Sequence, residues 1–149
     1  MTLRALLLSV VGCALLAGGC STKPYTFTIV VKNETQQPVV VGLAKDGPPF
    51  EDNWATPEQI AALPQRPGEH PWGIPLAPGK TADVKEERAR LDASSAAFVR
   101  VYASEPALNS LLSISSGSPN RLDIPLIPGD NRIVIKRDGG RLQYERANP

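Results

Sequence analysis

Histidine occurs once in this chain of 149 residues, as His70, and cysteine only twice, as Cys13 and Cys20. A structural zinc site takes four Cys or His ligands, so that class of site is out of reach. Triad hydrolysis would have to run through His70, held by an acid and within reach of a serine. Serine and aspartate are plentiful, but no Gly-x-Ser-x-Gly elbow is present. The simpler role of His70, within Gly68-Glu69-His70-Pro71-Trp72-Gly73, is that of a solvated loop residue. An excess of one charge is also lacking, with 16 Lys and Arg against 15 Asp and Glu. That balance argues against nucleic acid as a partner and against strong attraction to anionic headgroups.

What is present begins at the first residue. Met1-Thr2-Leu3-Arg4 carries one positive charge, Ala5 to Ala17 is almost wholly apolar, and Gly18-Gly19-Cys20 leads into polar residues from Ser21. A charged start, an apolar stretch and small residues before a cut are the layout of an export signal. As a helix the apolar stretch extends about 20 Å, against a hydrocarbon core of about 30 Å, so it is too short to span well. Leu16-Ala17-Gly18-Gly19-Cys20 resembles the lipobox of bacterial lipoproteins, with Ala17 standing where leucine is commoner. Val10-Val11-Gly12-Cys13 fits the same local pattern, but a cut there leaves a very short apolar stretch and an apolar new N-terminus.

The resemblance covers the first twenty-odd residues. It implies cleavage between Gly19 and Cys20, a diacylglyceryl thioether on Cys20, and an N-acyl group such as palmitate on its amine. No other cofactor is expected. One acyl chain binds a membrane marginally, whereas two or three hold almost permanently. Ser21 resembles the choice for the outer membrane over inner-membrane retention. Cys13 leaves with the signal, so the mature chain has no cysteine pair and its core must hold unaided. Residues 20–24 then form a tether of at most about 18 Å ahead of a first strand near Tyr25. A single domain, residues 25–149, is expected close to the lipid.

The mature chain reads as short strands. In Thr26 to Lys32, Phe27, Ile29 and Val31 share a face at period two, and Val39, Val41 and Leu43 repeat the pattern. Residues 33–37 suit a hairpin loop, which would set Val31 against Val39, Ile29 against Val41 and Phe27 against Leu43. Ile74-Pro75-Leu76-Ala77-Pro78-Gly79 is echoed by Ile124-Pro125-Leu126-Ile127-Pro128-Gly129. Each copy reads as an edge strand running into a type II turn. Lys85 to Asp92 reads as a charged loop or helical turn. Ala97 to Ala103 reads as a central strand buried on both sides, and Leu111 to Ser115 and Leu122 to Leu126 as further strands. Residues 133–137 and 141–145 form a hairpin through Asp138-Gly139, with Ile135 facing Leu142, Ile133 facing Tyr144 and Arg132 facing Glu145. In that register Lys136 opposes Arg141, a like-charge pair. Seven or eight such strands predict an all-β antiparallel β-sandwich of immunoglobulin-like architecture, with a small β-barrel as the alternative.

The long proline-rich insertion 45–73 holds both tryptophans and one expected short helix, capped by Thr56 with Pro57 first and Gln59 closing a capping box. It gathers Phe50, Trp54, His70 and Trp72, aromatic and imidazole side chains of the kind that line binding surfaces. The competing role for the tryptophans is a satellite core sealing the sandwich edge. Asp123, Asp130 and Asp138 are candidate calcium carboxylates without EF-hand spacing, and turn-shaping is their simpler role. Glu51 and Asp52 with Glu58 are candidate paired carboxylates for glycoside chemistry. The expectation is a lipid-anchored envelope protein with a non-catalytic binding or structural role and an envelope protein or glycan as partner. The alternatives are an envelope hydrolase or glycan-acting enzyme using His70 and nearby carboxylates, and an accessory subunit of an outer-membrane or secretion assembly.

Overall fold

A computed structural model gives the fold, and residues 22–47, 54, 56, 73–103 and 108–147 are described. Eight strands and one helix follow in order: β1 (Lys23–Asn33), β2 (Val39–Lys45), β3 (Ile74–Leu76), β4 (Thr81–Leu91), β5 (Ala97–Ala103), α1 (Leu108–Leu112), β6 (Arg121–Pro125), β7 (Gly129–Asp138) and β8 (Arg141–Arg146). They build two open four-stranded sheets, ordered β4-β1-β7-β8 and β3-β2-β5-β6, packed face to face as a β-sandwich rather than a barrel. Pairing is antiparallel except between β1 and β7, which run parallel.

Alternation supplies the core. Phe27, Ile29 and Val31 of β1 and Ile133 and Ile135 of β7 point inward from one sheet. Val39 and Val41 of β2, Val99 and Val101 of β5 and Ile124 of β6 meet them from the other. Each fully buried side chain of this size contributes about 1.5–3 kcal/mol over an exposed one.

Four expectations are corrected. First, β1 and β2 do not form a hairpin. They lie in opposite sheets, with β4 and β7 flanking β1 and β3 and β5 flanking β2. The apolar faces are as read, but they meet across the core instead of side by side. Second, the charged stretch from Lys85 belongs to β4, an edge strand of 11 residues. Its register against β1 slips between Phe27–Glu87 and Ile29–Val84, a β-bulge at Lys85 and Glu86, with Glu86 at φ 52°. The bulge moves the inward set from Ala82 and Val84 to Glu87, Ala89 and Leu91, which hides the alternation.

Third, Leu111 and Leu112 end the helix α1 rather than starting a strand. Leu111 packs with Val40, Tyr102 and Ile114 on the outer face of the second sheet. Fourth, the β7–β8 turn is Gly139-Gly140, with φ 54° and 81°, the positive pair a type I′ turn takes. Asp138 therefore pairs with Arg141, Ile135 with Tyr144 and Ile133 with Arg146. Lys136 now opposes Gln143, and its Nζ reaches Glu145 Oε2 at 2.6 Å. The like-charge clash of the expected register is thereby removed.

The central strand β5 is buried on both faces as expected, with Val99 and Val101 inward and Arg100 and Tyr102 outward. Pro75 and Pro125 lie on the edge strands β3 and β6, where a missing N–H costs no ladder bond. The β8 edge is closed in part by Leu142 N–H donating to Pro119 O at 3.1 Å. Charges and a bulge on β4, prolines on β3 and β6 and this clasp all discourage edge pairing. The helix expected after Thr56 lies outside the described residues.

Candidate functional site

Four links carry the chain between the sheets, and short polar side chains hold three of them. Between β1 and β2 the link is held by Asn33, fully buried. Its Nδ2 donates to Leu76 O at 2.8 Å and Gln37 O at 2.9 Å, and its Oδ1 accepts from Thr35 N–H at 2.9 Å. The β3–β4 link is the Pro78-Gly79 turn, closed by Lys80 N–H to Ala77 O, with Gly79 at φ 74°. It docks on the first link through Asn33 N–H to Lys80 O and Gly79 N–H to Asn33 O. Between β4 and β5, Asp92 Oδ1 accepts from Ser94 N–H, Ser94 Oγ and Ser95 Oγ. The Ser94 hydroxyl, then the Ser94 amide and the Ser95 hydroxyl, lower the Asp92 carboxyl to about 2. The β6–β7 link is held by Asn131, whose side chain bonds the backbone of Ile127 and Gly129.

Strand directions sort these links onto two poles. Lys23, the Asp92 link and residues 126–129 share the pole where β1 opens. Asn33, Pro78-Gly79 and the Gly139-Gly140 turn share the other.

At the far pole a shallow open cleft of about 410 Å³ is lined by Glu34, Thr35, Gln36, Gln37 and Arg137. Arg137 organises it. Its Nε and Nη2 donate to Gly140 O, its Nη1 to Gln37 Oε1 and its Nη2 also to Asn120 Oδ1. These acceptors are all neutral, so the guanidinium charge is held in place without a carboxylate among the described residues. Glu34 lies 2.7 Å from Lys32 Nζ, and that hydrogen bond, with the Lys32 charge, lowers its pKa. The cleft thus offers fixed donors and acceptors of both kinds.

A second polar group sits on the outer face of the second sheet. Asp123 takes Arg100 Nε at 2.8 Å and Arg121 Nη2 at 2.8 Å. Burial raises the Asp123 pKa, but the hydrogen bonds and charges of Arg121 and Arg100 outweigh it and the net shift is downward. Asp123 is therefore committed to two guanidiniums. Among the described residues no three His, Cys, Asp or Glu side chains converge as metal ligands.

Of the residues singled out in the sequence, Trp54 is fully buried, its ring 5.5 Å from that of Phe27 at 57°. It is part of the main core, beneath the pole where β1 opens, and presents no accessible ring to a ligand. Its Nε1 has no hydrogen-bond partner among the described residues. Phe50, His70, Trp72, Glu51, Asp52, Glu58, Gly19 and Cys20 lie outside the described residues. Residues 33–37 read only as a hairpin loop in the sequence, and Arg137 carried no signal, because its role depends on contacts 100 positions away with Gln37 and 17 away with Asn120. No protein-family model matches the chain, and no curated protein is similar to it at a significant level.

Proposed function

We propose that this chain is a lipid-anchored protein of the bacterial cell envelope, acylated on Cys20, with a non-catalytic binding or structural role. The observation that carries this reading is a spacing: a leader resembling a lipobox signal ends at Cys20, and β1 opens at Lys23. Three residue steps extend at most about 11 Å. That is shorter than the tether expected from a strand opening near Tyr25. A domain held so closely has a fixed polarity, with the opening of β1 toward the lipid and the Asn33 pole about 32–34 Å further out along the strand. The far-pole cleft of Glu34, Gln36, Gln37 and Arg137 then faces the envelope space, where its mixed hydrogen-bonding groups suit a polar protein or glycan partner. Ser21 favours the outer membrane.

Replacing Cys20 tests the anchor. Cys20→Ala is expected to abolish labelling by a fatty-acid probe and to move the protein from the membrane to the soluble fraction. Label that persists on Cys20→Ala refutes acylation at that residue.

A further inference from the structure

Arg137 of β7 stands beside the link of residues 34–37, and that link is fixed in place. Glu34 N–H donates to Ile135 O, Asn33 Oδ1 accepts from Thr35 N–H, and the Thr35 hydroxyl donates to Gln37 O at 2.7 Å. The walls of the far-pole cleft are therefore set before anything enters it. The charges around it are unequally matched. Lys32 is paired with Glu34 at 2.7 Å and Lys136 with Glu145 at 2.6 Å. Arg137 bonds only neutral oxygens, so its positive charge has no carboxylate partner among the described residues.

The sense of these bonds is dictated by chemistry. A guanidinium has five N–H groups and no acceptor, so an amide that meets it must present its oxygen. Gln37 presents Oε1 to Arg137 Nη1 at 2.9 Å, and Asn120 presents Oδ1 to Nη2 at 3.0 Å. Nε and Nη2 also donate to Gly140 O, at 3.1 and 3.0 Å. Four of the five N–H groups are thus engaged, and the fifth, on Nη1, is not. With their oxygens turned to Arg137, Gln37 and Asn120 keep their NH2 groups as donors, on side chains exposed to solvent. A fixed positive charge and three groups able only to donate are gathered at one end of the sandwich.

We propose that this donor array around Arg137 binds the free C-terminal carboxylate of a peptide. The proposal deepens, and rests on, the reading of the far-pole cleft as the partner site, and is independent of the lipid anchor. A carboxylate supplies acceptors only, which is what Nη1 and the two NH2 groups lack. Its charge meets the guanidinium, and such charge-assisted bonds are about twice as strong as neutral ones. Arg137 is already held by its own chain, so little side-chain freedom remains to be lost on binding. Glu34 narrows the choice of anion. The hydrogen bond from Lys32 and its charge hold the Glu34 carboxyl below its ordinary pKa, so it is ionised at neutral pH. A carboxylate on the cleft wall repels a second negative charge on the ligand, which favours a lone carboxylate over a phosphate or a chain of acidic sugars. The lining of Glu34, Thr35, Gln36, Gln37 and Arg137 also holds no aromatic ring for a sugar to stack on. Capture of a terminal carboxylate by ready-made donors is a recurring mode of peptide recognition.

The test uses the full mature chain, isotope-labelled for nuclear magnetic resonance, both as matured in membranes and held in detergent micelles and with Cys20→Ser in buffer. N-acetyl-trialanine, the same peptide with an amidated C-terminus, and methyl glucuronide are titrated in turn. The signals followed are Arg137 Nε–H and the side-chain NH2 groups of Gln37 and Asn120. The free-acid peptide is expected to shift all of them saturably in both forms, and the amidated peptide to bind at least about tenfold more weakly. Gln37→Glu keeps an oxygen on Nη1 but cancels the charge and removes a donor. It is expected to weaken the free-acid peptide by a similar factor without lowering the melting temperature. Equal binding of the amidated peptide, undiminished binding to Gln37→Glu, or no saturable shift with the free-acid peptide overturns the proposal. Methyl glucuronide binding as tightly as the free-acid peptide also overturns it, while keeping the cleft as the partner site. An unmodified Cys20 in the membrane-derived chain sinks the anchor alone, because the Cys20→Ser form still decides whether a carboxylate is bound.

Discussion

Replacing Asn33 by alanine removes three hydrogen bonds from a position with no exposure to solvent. The losses are unequal. Gln37 O keeps the Thr35 hydroxyl at 2.7 Å, so it is not stranded. Thr35 N–H loses its acceptor and Leu76 O loses its side-chain donor, both beside residues that are themselves buried. A buried polar group left unsatisfied costs about 1–3 kcal/mol, and a net hydrogen bond about 1 kcal/mol, so the substitution should cost about 3–5 kcal/mol. Against a typical domain stability of about 5–15 kcal/mol that is a large fraction. Asn33→Asp keeps the acceptor for Thr35 but turns a carboxylate toward two carbonyl oxygens, and should cost at least as much at neutral pH.

Urea denaturation followed by circular dichroism measures both variants, with Glu34→Ala as the control. That control removes an exposed ion pair whose side chains are 47% and 38% accessible, and should change stability by no more than about 0.5 kcal/mol. If Asn33→Ala falls within about 1 kcal/mol of the unsubstituted protein, the reasoning about stranded groups is wrong. The crossing would then be held by its backbone bonds alone, Asn33 N–H to Lys80 O, Gly79 N–H to Asn33 O and Glu34 N–H to Ile135 O.

Asn131→Ala should destabilise by a similar amount, about 3–5 kcal/mol, and should also raise hydrogen exchange at the Ile127 amide; unchanged exchange there would contradict the clamp. Trp54→Ala, which empties the space against Phe27, should cost about 3–5 kcal/mol in a denaturant titration, and Trp54→Phe clearly less, because Nε1 has no partner to lose among the described residues. Glu86→Gly should stabilise by about 0.5–1 kcal/mol, because the strain at φ 52° outweighs the added backbone freedom of glycine in U; a lower melting temperature would refute that balance. The Asp92 carboxyl is held at about 2 in the folded chain, below its ordinary value, so it contributes stability above the ordinary aspartate pKa of about 3.9 that is lost as pH falls from there toward about 2. Asp92→Asn should flatten that part of a urea-midpoint against pH curve, and an unaltered slope would count against the Ser94–Ser95 bonds as its cause.

The sequence made faces legible and neighbours illegible. Phe27, Ile29 and Val31 share one side of β1 as period two requires, yet alternation is satisfied equally by a strand alongside and by one across the core. Nothing in the pattern separates the hairpin with β2 from the crossing that forms. In β4 the phase breaks at Glu86, so Ala82 and Val84 cannot be joined to Ala89 and Leu91 by any single period. In the last hairpin Asp138-Gly139 and Gly139-Gly140 are both good turns, and one residue of difference moves every partner by two. Leu111 and Ile114 fit a helical face and an extended segment about equally well over five residues. The far-pole cleft was out of view because it joins Arg137 of β7 to the link of residues 34–37, a hundred positions away in the chain.

The ambiguity at β1 and β2 is settled by polarity rather than by apolar burial. A β1–β2 hairpin would bury Phe27, Ile29 and Val31 much as the crossing does, so hydrophobic area discriminates weakly between the two. It would, however, take Asn33 away from Leu76 O, which belongs to a strand of the opposite sheet. A buried amide deprived of partners costs more than small differences in apolar contact repay. Asn131 plays the matching part at the other pole, tying Ile127 and Gly129 to β7 and, through Arg146, to β8. The described residues include no cysteine, so no disulfide among them fixes these crossings. Two buried asparagines, each bonding several backbone groups of a sheet-to-sheet link, select the sandwich topology from the several that its alternation allows.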